Sequence, residues 1–160
     1  MDKGLKKKIA IFIIITILLI ALDQITKQIV ISNYIEPYGN SFMSFTLTEN
    51  TGMFLGLNEG NSRNIVITIV VLCLILHFII KQNEMIDKLA LVGVSLINAG
   101  ALSQLVDRLI RHHIVDFIKI WKFPVFNVAD CIIVIGWILF VVSILRTALT
   151  DRSEHVDNKE

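Results

Sequence analysis

"FNVADCIIVIGWILFVVSIL", residues 126–145, begins with an asparagine and an aspartate and then runs apolar without another charge. The run is long enough to cross a membrane, and Asp130 at its mouth raises the question of what a carboxylate does there. At the centre of a bilayer a carboxylate costs roughly 2.5–3.5 kcal/mol on insertion scales, and less near the interface. Some neighbouring group must compensate that charge, or the chemistry must use it.

Three other stretches share the pattern. Residues 9–22, 64–80 and 89–106, like 131–145, contain no Asp, Glu, Lys or Arg. The chain has 160 residues, 54% of them hydrophobic, against roughly 45–50% for soluble domains even with glycine counted. Extended by its flanks, each run approaches the roughly 20 residues that span about 30 Å of hydrocarbon. The expectation is an all-α membrane protein with four transmembrane helices, over about 9–30, 64–81, 87–106 and 126–148. Together they form one polytopic domain over residues 1–160.

The net charge of +1 suggests no nucleic-acid partner. Cys73 and Cys131 fall in apolar segments without CxxC spacing and read as buried small side chains. His112 and His113 diverge on a helix and have no companion ligands in the sequence, so no metal or cofactor is expected. Lys3, Lys6, Lys7 and Lys8 before the first run resemble the start of a secretory signal. No small-x-small cleavage site follows, however, and the continuation through Asp23 and Lys27 fits a retained helix. The same lysines put the N-terminus in the cytoplasm, and four crossings return the C-terminus there. The loop 31–63, with Glu36, Glu49 and Glu59 against Arg63, suits the outside. The segment 107–125 is less obedient, because Arg108, Arg111, Lys119 and Lys122 also fall outside, so those cations need a task.

The outer segments carry further structure. "FMSFTLT", residues 42–48, alternates loosely and is rich in β-branched and aromatic residues, which predicts a short strand. "ENTGMFLGLNEGNSRN" then supplies turn residues before the second helix. The segment 107–125 reads as an extracytoplasmic arm or short helix, with Trp121 and Phe123 where interfacial aromatics sit.

Polar residues gather on this outer side: Asp23, Lys27, Gln104, Asp107, Arg108, Asn127 and Asp130 at helix ends, Asn50 and Asp116 in the loops. Asp23 and Lys27 at i, i+4 share a helix face and read as a structural ion pair. Asp107 and Arg108 are adjacent, so they point about 100° apart on a helix and serve different partners. Arg108 offers several donors to backbone carbonyls or a lipid phosphate. Asn50 and Gly52 lie in "NTG", a plausible plain turn. Asp116 and Asp130 resist such a reading. Two carboxylates that approach closely in an apolar setting do not both ionise cheaply, so one keeps its proton and the pair becomes an acid and a base around one water. Amide hydrolysis would suit that arrangement, although proton-coupled transporters also place carboxylates in membranes.

Four stretches together resemble the lipoprotein signal peptidases, or signal peptidase II: "DQITK" at 23–27, "ENTGMFLG" at 49–56, "AGALSQLVDRLIRHHIVDF" at 99–117 and "FPVFNVAD" at 123–130. The resemblance implies an aspartic endopeptidase of the bacterial cytoplasmic membrane. It would cleave the signal peptide from prolipoproteins just before a diacylglyceryl-modified cysteine. The family's catalytic aspartates map onto Asp116 and Asp130, and its supporting residues onto Asp23, Lys27, Asn50, Gly52, Asp107, Arg108 and Asn127. Membrane lipids and globomycin-like inhibitors are the further implied partners, and a surface cradle and an arm are expected on the outer face. This chain departs from the family's pattern at Ser103 and Gln104, where glycine and asparagine are usual, at His113 before "IVDF", and at Met53 and Phe54 after "NTG". Those departures keep open a non-catalytic or inhibitor-sequestering relative on the same scaffold. A small proton-coupled transporter is the remaining alternative, although no internal repeat or broken helix is visible.

Overall fold

In a computed structural model, residues 3–33, 37–52, 61–81 and 87–157 are described. Four helices and three strands follow in the order α1 (Lys3–Asn33), β1 (Tyr38–Gly39), β2 (Met43–Asn50), α2 (Asn61–Lys81), α3 (Lys88–Ile110), β3 (Ile114–Ile120) and α4 (Val128–Asp157). α1, α3 and α4 each contain a stretch long and apolar enough to cross a membrane. α2 is a 21-residue helix with a shorter apolar section, Ser62–Ile75. All four coincide with the apolar runs, which they overshoot at both ends.

α3 lies at the centre, packed against α1, α2 and α4. Its small residues make this feasible. Gly93 faces Gly136 of α4, and Gly100 faces Ala129 and Ile133, so the two backbones approach to a distance that a methyl group would prevent. α1 buries a single stripe, Phe12, Thr16, Asp23, Lys27 and Val30, spaced for one helical face. The rest of that helix leaves Ile13, Ile17, Leu18, Leu22 and Ile25 exposed, as a lipid-facing surface requires. At the start of α3, the Asp87 carboxylate caps the helix by accepting from Ala90 N (2.6 Å) and also from Ser143 Oγ of α4 (2.7 Å). These two bonds hold its pKa below the usual carboxylate range.

The strands form one antiparallel sheet in the order β1-β2-β3. The expectation of a strand over 42–48 is met by β2. The expectation of an arm or short helix over 107–125 is not. α3 runs on to Ile110, and residues 114–120 pair with β2, placing Thr48 opposite Asp116 and Asn50 opposite Ile114. Alternation in "IVDFIKI" explains the strand, because β-branched and aromatic residues fit a pleated, half-buried surface. His112, in the left-handed region (φ 65°), turns the chain from α3 into β3. Phe126 then bonds back to Ile118 and delivers the chain to α4. Cys131 is half-buried, but Cys73 lies exposed on α2 rather than buried. The turn region 53–60, including Met53 and Phe54, lies outside the described residues.

Candidate active site

The local reason for Asp130 is a cap. Asn127 precedes the first residue of α4, and Asp130 is three positions further on. Asp130 N donates to Asn127 Oδ1 (3.0 Å) while Asn127 N donates to Asp130 Oδ2 (3.0 Å). This reciprocal arrangement satisfies two backbone donors that the helix start leaves free, and it puts a carboxylate at the positive end of the helix dipole. Asp130 therefore costs far less than a carboxylate at mid-membrane.

A cap alone does not explain what surrounds it. Gln104 of α3 donates Nε2 to Asp130 Oδ1 (2.6 Å). Asn127 donates Nδ2 to Asp116 Oδ1 (2.6 Å), and Asn50 at the end of β2 donates Nδ2 to Asp116 Oδ2 (2.8 Å). Asn50 and Gly52 also make the turn read from "NTG", with Gly52 N donating to Asn50 Oδ1 (3.0 Å). Arg108 donates to the Gly52 carbonyl (2.6 Å) and so fixes the turn that presents Asn50. Asp116 is 3% exposed. Burial pushes its pKa up to about 6; the nearby Asp130 charge adds to this, and the bonds from Asn50 and Asn127 oppose it.

Asn50, Gln104, Asp116 and Asp130 line a cavity of about 20 Å³, closed on its apolar side by Ile114, Val125 and Phe126. About 10–15 Å³ suffices for one water, and four polar side chains surround it. A second cavity, an open apolar groove of about 390 Å³, meets the first at Phe126 and Asp130. Phe123, Pro124, Cys131, Val134 and Ile135 line the groove. A small polar chamber thus adjoins a larger greasy groove, the two sharing Phe126 and Asp130 as walls.

Beneath the chamber lies a buried ionic foundation. Lys27 Nζ contacts Asp23 Oδ2 (2.6 Å) and Asp107 Oδ2 (2.5 Å), and all three side chains have no solvent exposure. Arg111 pairs with Asp107 (2.5 Å), so two cations meet two carboxylates. Ser103 Oγ donates to Asp23 Oδ2 (2.7 Å), and Ala129 N at the start of α4 donates to Asp23 Oδ1 (2.8 Å). Asp23 and Lys27 are the ion pair expected from their spacing, and Asp107 and Arg108 do serve different partners.

Three contributors were not singled out from the sequence. Gln24 donates to Ser103 Oγ (2.9 Å) and Asp107 Oδ1 (2.9 Å) and accepts from Arg111 (2.9 Å). In the sequence Ser103 stands out only as a departure from the family's pattern, and Arg111 only as a cation on the wrong side. The i, i+4 spacing of Asp107 and Arg111 was the available signal. Of the remaining cations in 107–125, Lys122 lies over the Trp121 ring, 5.3 Å from its centroid.

A family model described as Signal peptidase (SPase) II matches residues 15–146. The lipoprotein signal peptidase of Staphylococcus haemolyticus (strain JCSC1435) is 34% identical over 156 residues, spanning 90% of this chain and 98% of that protein. The corresponding protein of Staphylococcus aureus (strain JH9) is 30% identical over 155 residues, spanning 90% and 93%. Two solved structures share the fold, each described as a bacterial membrane enzyme structure by the in meso method. The one at 2.3 Å resolution has a TM-score of 0.80 and 30% identity, covering 88% of this chain and 90% of its own. The one at 1.9 Å has a TM-score of 0.74 and 31% identity, covering 86% and 94%.

Proposed function

Because the chain belongs to the signal peptidase II family, we propose that it removes signal peptides from diacylglyceryl-modified prolipoproteins by aspartic catalysis, with Asp116 and Asp130 as the dyad. The observation that carries this reading is the one-water chamber with a carboxylate on each of two elements and amide donors on every carboxylate oxygen. One aspartate takes a proton from the water as its oxygen attacks the scissile carbonyl, and the other gives a proton to the peptide. Asn50, Gln104 and Asn127 orient the pair. Gly52 and Arg108 hold the turn, while Asp23, Lys27 and Asp107 anchor α1, α3 and α4 beneath it.

The apolar groove supports the substrate class. A diacylglyceryl chain is lipid, so its attached peptide bond arrives sideways from the bilayer. The groove runs along the α4 face of exposed Val134 and Ile135 and ends at Asp130. Globomycin-like inhibitors would compete in the same place.

The topology we propose is a single polytopic domain over 1–160 with four crossings. It sits in the bacterial cytoplasmic membrane, with both termini inside and the sheet on the outer face. Parity supports α2 as the fourth span. β2 and β3 pair in one sheet, so they share a side of the membrane, and both α2 and α3 lie between them in the chain. If α3 crosses, α2 must cross as well.

The test is a gel-shift assay with purified protein and a diacylglyceryl-modified prolipoprotein. Wild type is expected to cleave, and Asp116→Asn and Asp130→Asn are each expected to lose at least a thousandfold in rate, on the order of removing one member of a catalytic unit. A well-folded wild type that binds globomycin without cleaving would refute catalysis and favour an inhibitor-sequestering protein.

A further inference from the structure

The two aspartates have different amide partners, and the difference assigns their roles. Both oxygens of Asp116 accept from carboxamides, Asn50 and Asn127. Each of those amides is locked by a backbone N–H on its own oxygen: Gly52 N on Asn50 Oδ1 and Asp130 N on Asn127 Oδ1. Turning either amide by half a turn would break that bond and set an NH₂ group against the backbone donor. Among the described residues the hydrogen bonds to Asp116 therefore all come from donors, an environment that favours its ionised form.

Asp130 is held differently. Its Oδ2 accepts from Asn127 N, and its Oδ1 from Gln104 Nε2. Among the described residues no hydrogen bond anchors Gln104 Oε1. Half a turn of this amide exchanges a donor for an acceptor at the same place, so Gln104 can meet Asp130 in either protonation state, with the charge-assisted bond to the carboxylate the stronger of the two.

Resting on the peptidase reading, we propose that Asp116 is the ionised base and Asp130 the protonated acid, with Gln104 as a positioning residue whose amide turns with Asp130's proton. In the first step Asp116 removes a proton from water, the water oxygen bonds to the scissile carbonyl carbon, and the carbonyl oxygen takes the proton of Asp130. A gem-diol results, with Asp116 protonated and Asp130 ionised, and Gln104 now donates Nε2 to the new carboxylate. In the second step Asp116 gives its proton to the amide nitrogen while Asp130 takes one from a diol hydroxyl. The C–N bond then breaks, leaving a carboxylic acid, an amine and the starting dyad. Lys27 and Asp23 from α1 and Arg108 from α3 also act on the pair. They stay in place in the variants below.

The experiment is the pH profile of kcat/KM on a diacylglyceryl-modified prolipoprotein for wild type, Gln104→Met and Asn50→Leu. The acid limb of such a profile reports the base and the basic limb reports the acid. Gln104→Met removes a donor from ionised Asp130, so the basic limb should move up by about one pH unit while the acid limb stays, the worth of one hydrogen bond to a charged group. Asn50→Leu removes a donor from ionised Asp116 and should move the acid limb up by a similar amount. A Gln104→Met profile that shifts on its acid limb would reverse the assignment. A lowered maximum with both limbs unmoved would make Gln104 merely structural. If Asn50→Leu fails to fold, Gln104→Met decides alone. Absence of cleavage by wild type would remove the peptidase reading itself, and this assignment with it, which is a separate result from an unmoved limb.

Discussion

Lys27 shows how much a single residue supports at this site. Its ammonium sits between Asp23 and Asp107, and none of the three side chains touches solvent. Removing the cation leaves carboxylates buried without their partner, a change that typically costs about 3–5 kcal/mol. Lys27→Met should therefore lower the thermal unfolding temperature markedly in detergent, before any assay of activity; an unchanged transition would show that the foundation carries no stability. Asp116 acts in the opposite sense. Its pKa in the folded protein, about 6, lies above its ordinary value, so between roughly pH 4 and 6 the folded state binds more protons than the unfolded one. Stability from this group is thus greatest at low pH and falls as pH rises through 6, by about 3 kcal/mol in full. The expected signature is a difference in unfolding temperature between Asp116→Asn and wild type that grows from pH 4 to 6 and is level above. Parallel curves would contradict it. On the peptidase reading, a buried Asp116 carries this cost in exchange for a base poised near neutrality.

Among the elements, the closest meeting is that of α3 and α4. A methyl group on Gly136 would lie 2.7 Å from Gly93 O and 2.9 Å from Ile97 N, and one on Gly93 would lie 2.8 Å from Gly136 O. Backbone atoms cannot swing aside, so the helices must part, and overpacking of this kind costs about 1–3 kcal/mol. Gly93→Ala and Gly136→Ala should each lower the unfolding temperature. The double variant should cost less than the sum, because one separation accommodates both methyl groups; full additivity would mean that the contact is not shared. The helices themselves were legible in the sequence, since long uncharged runs have few alternative readings. β3 was not. "DRLIRHHIVDFIKIWKFP" mixes helical charge spacing with strand alternation, and its partner β2 lies more than 60 residues earlier, with Thr48 opposite Asp116. Local pattern carries no information about a pairing that distant, and here tertiary pairing outweighed the helical reading of the segment.

At the scale of the whole molecule, the candidate site was legible as a set of residues and illegible as a network. Every side chain singled out from the sequence comes to one end of the bundle, because polar groups in an apolar chain have few places to go. The links through Gln24, Ser103 and Arg111 were hidden, since each depends on which helix faces which. The same packing makes the proposed topology testable. Cys73 and Cys131 are first replaced by alanine, and single cysteines are introduced at Lys7, Lys88 and Lys119, all exposed. With four crossings, a membrane-impermeant maleimide added to intact cells should label Lys119→Cys alone, and lysis should add Lys7→Cys and Lys88→Cys. Lys88 is the discriminating position. It opens α3 and follows α2, so it lies inside only if α2 spans. Labelling of Lys88→Cys from outside would leave α2 on the surface, and α3 would then carry β3 to the face opposite its partner β2. The two strands are hydrogen-bonded, so that outcome would require α3 not to cross either, and the four-helix reading would fail as a whole.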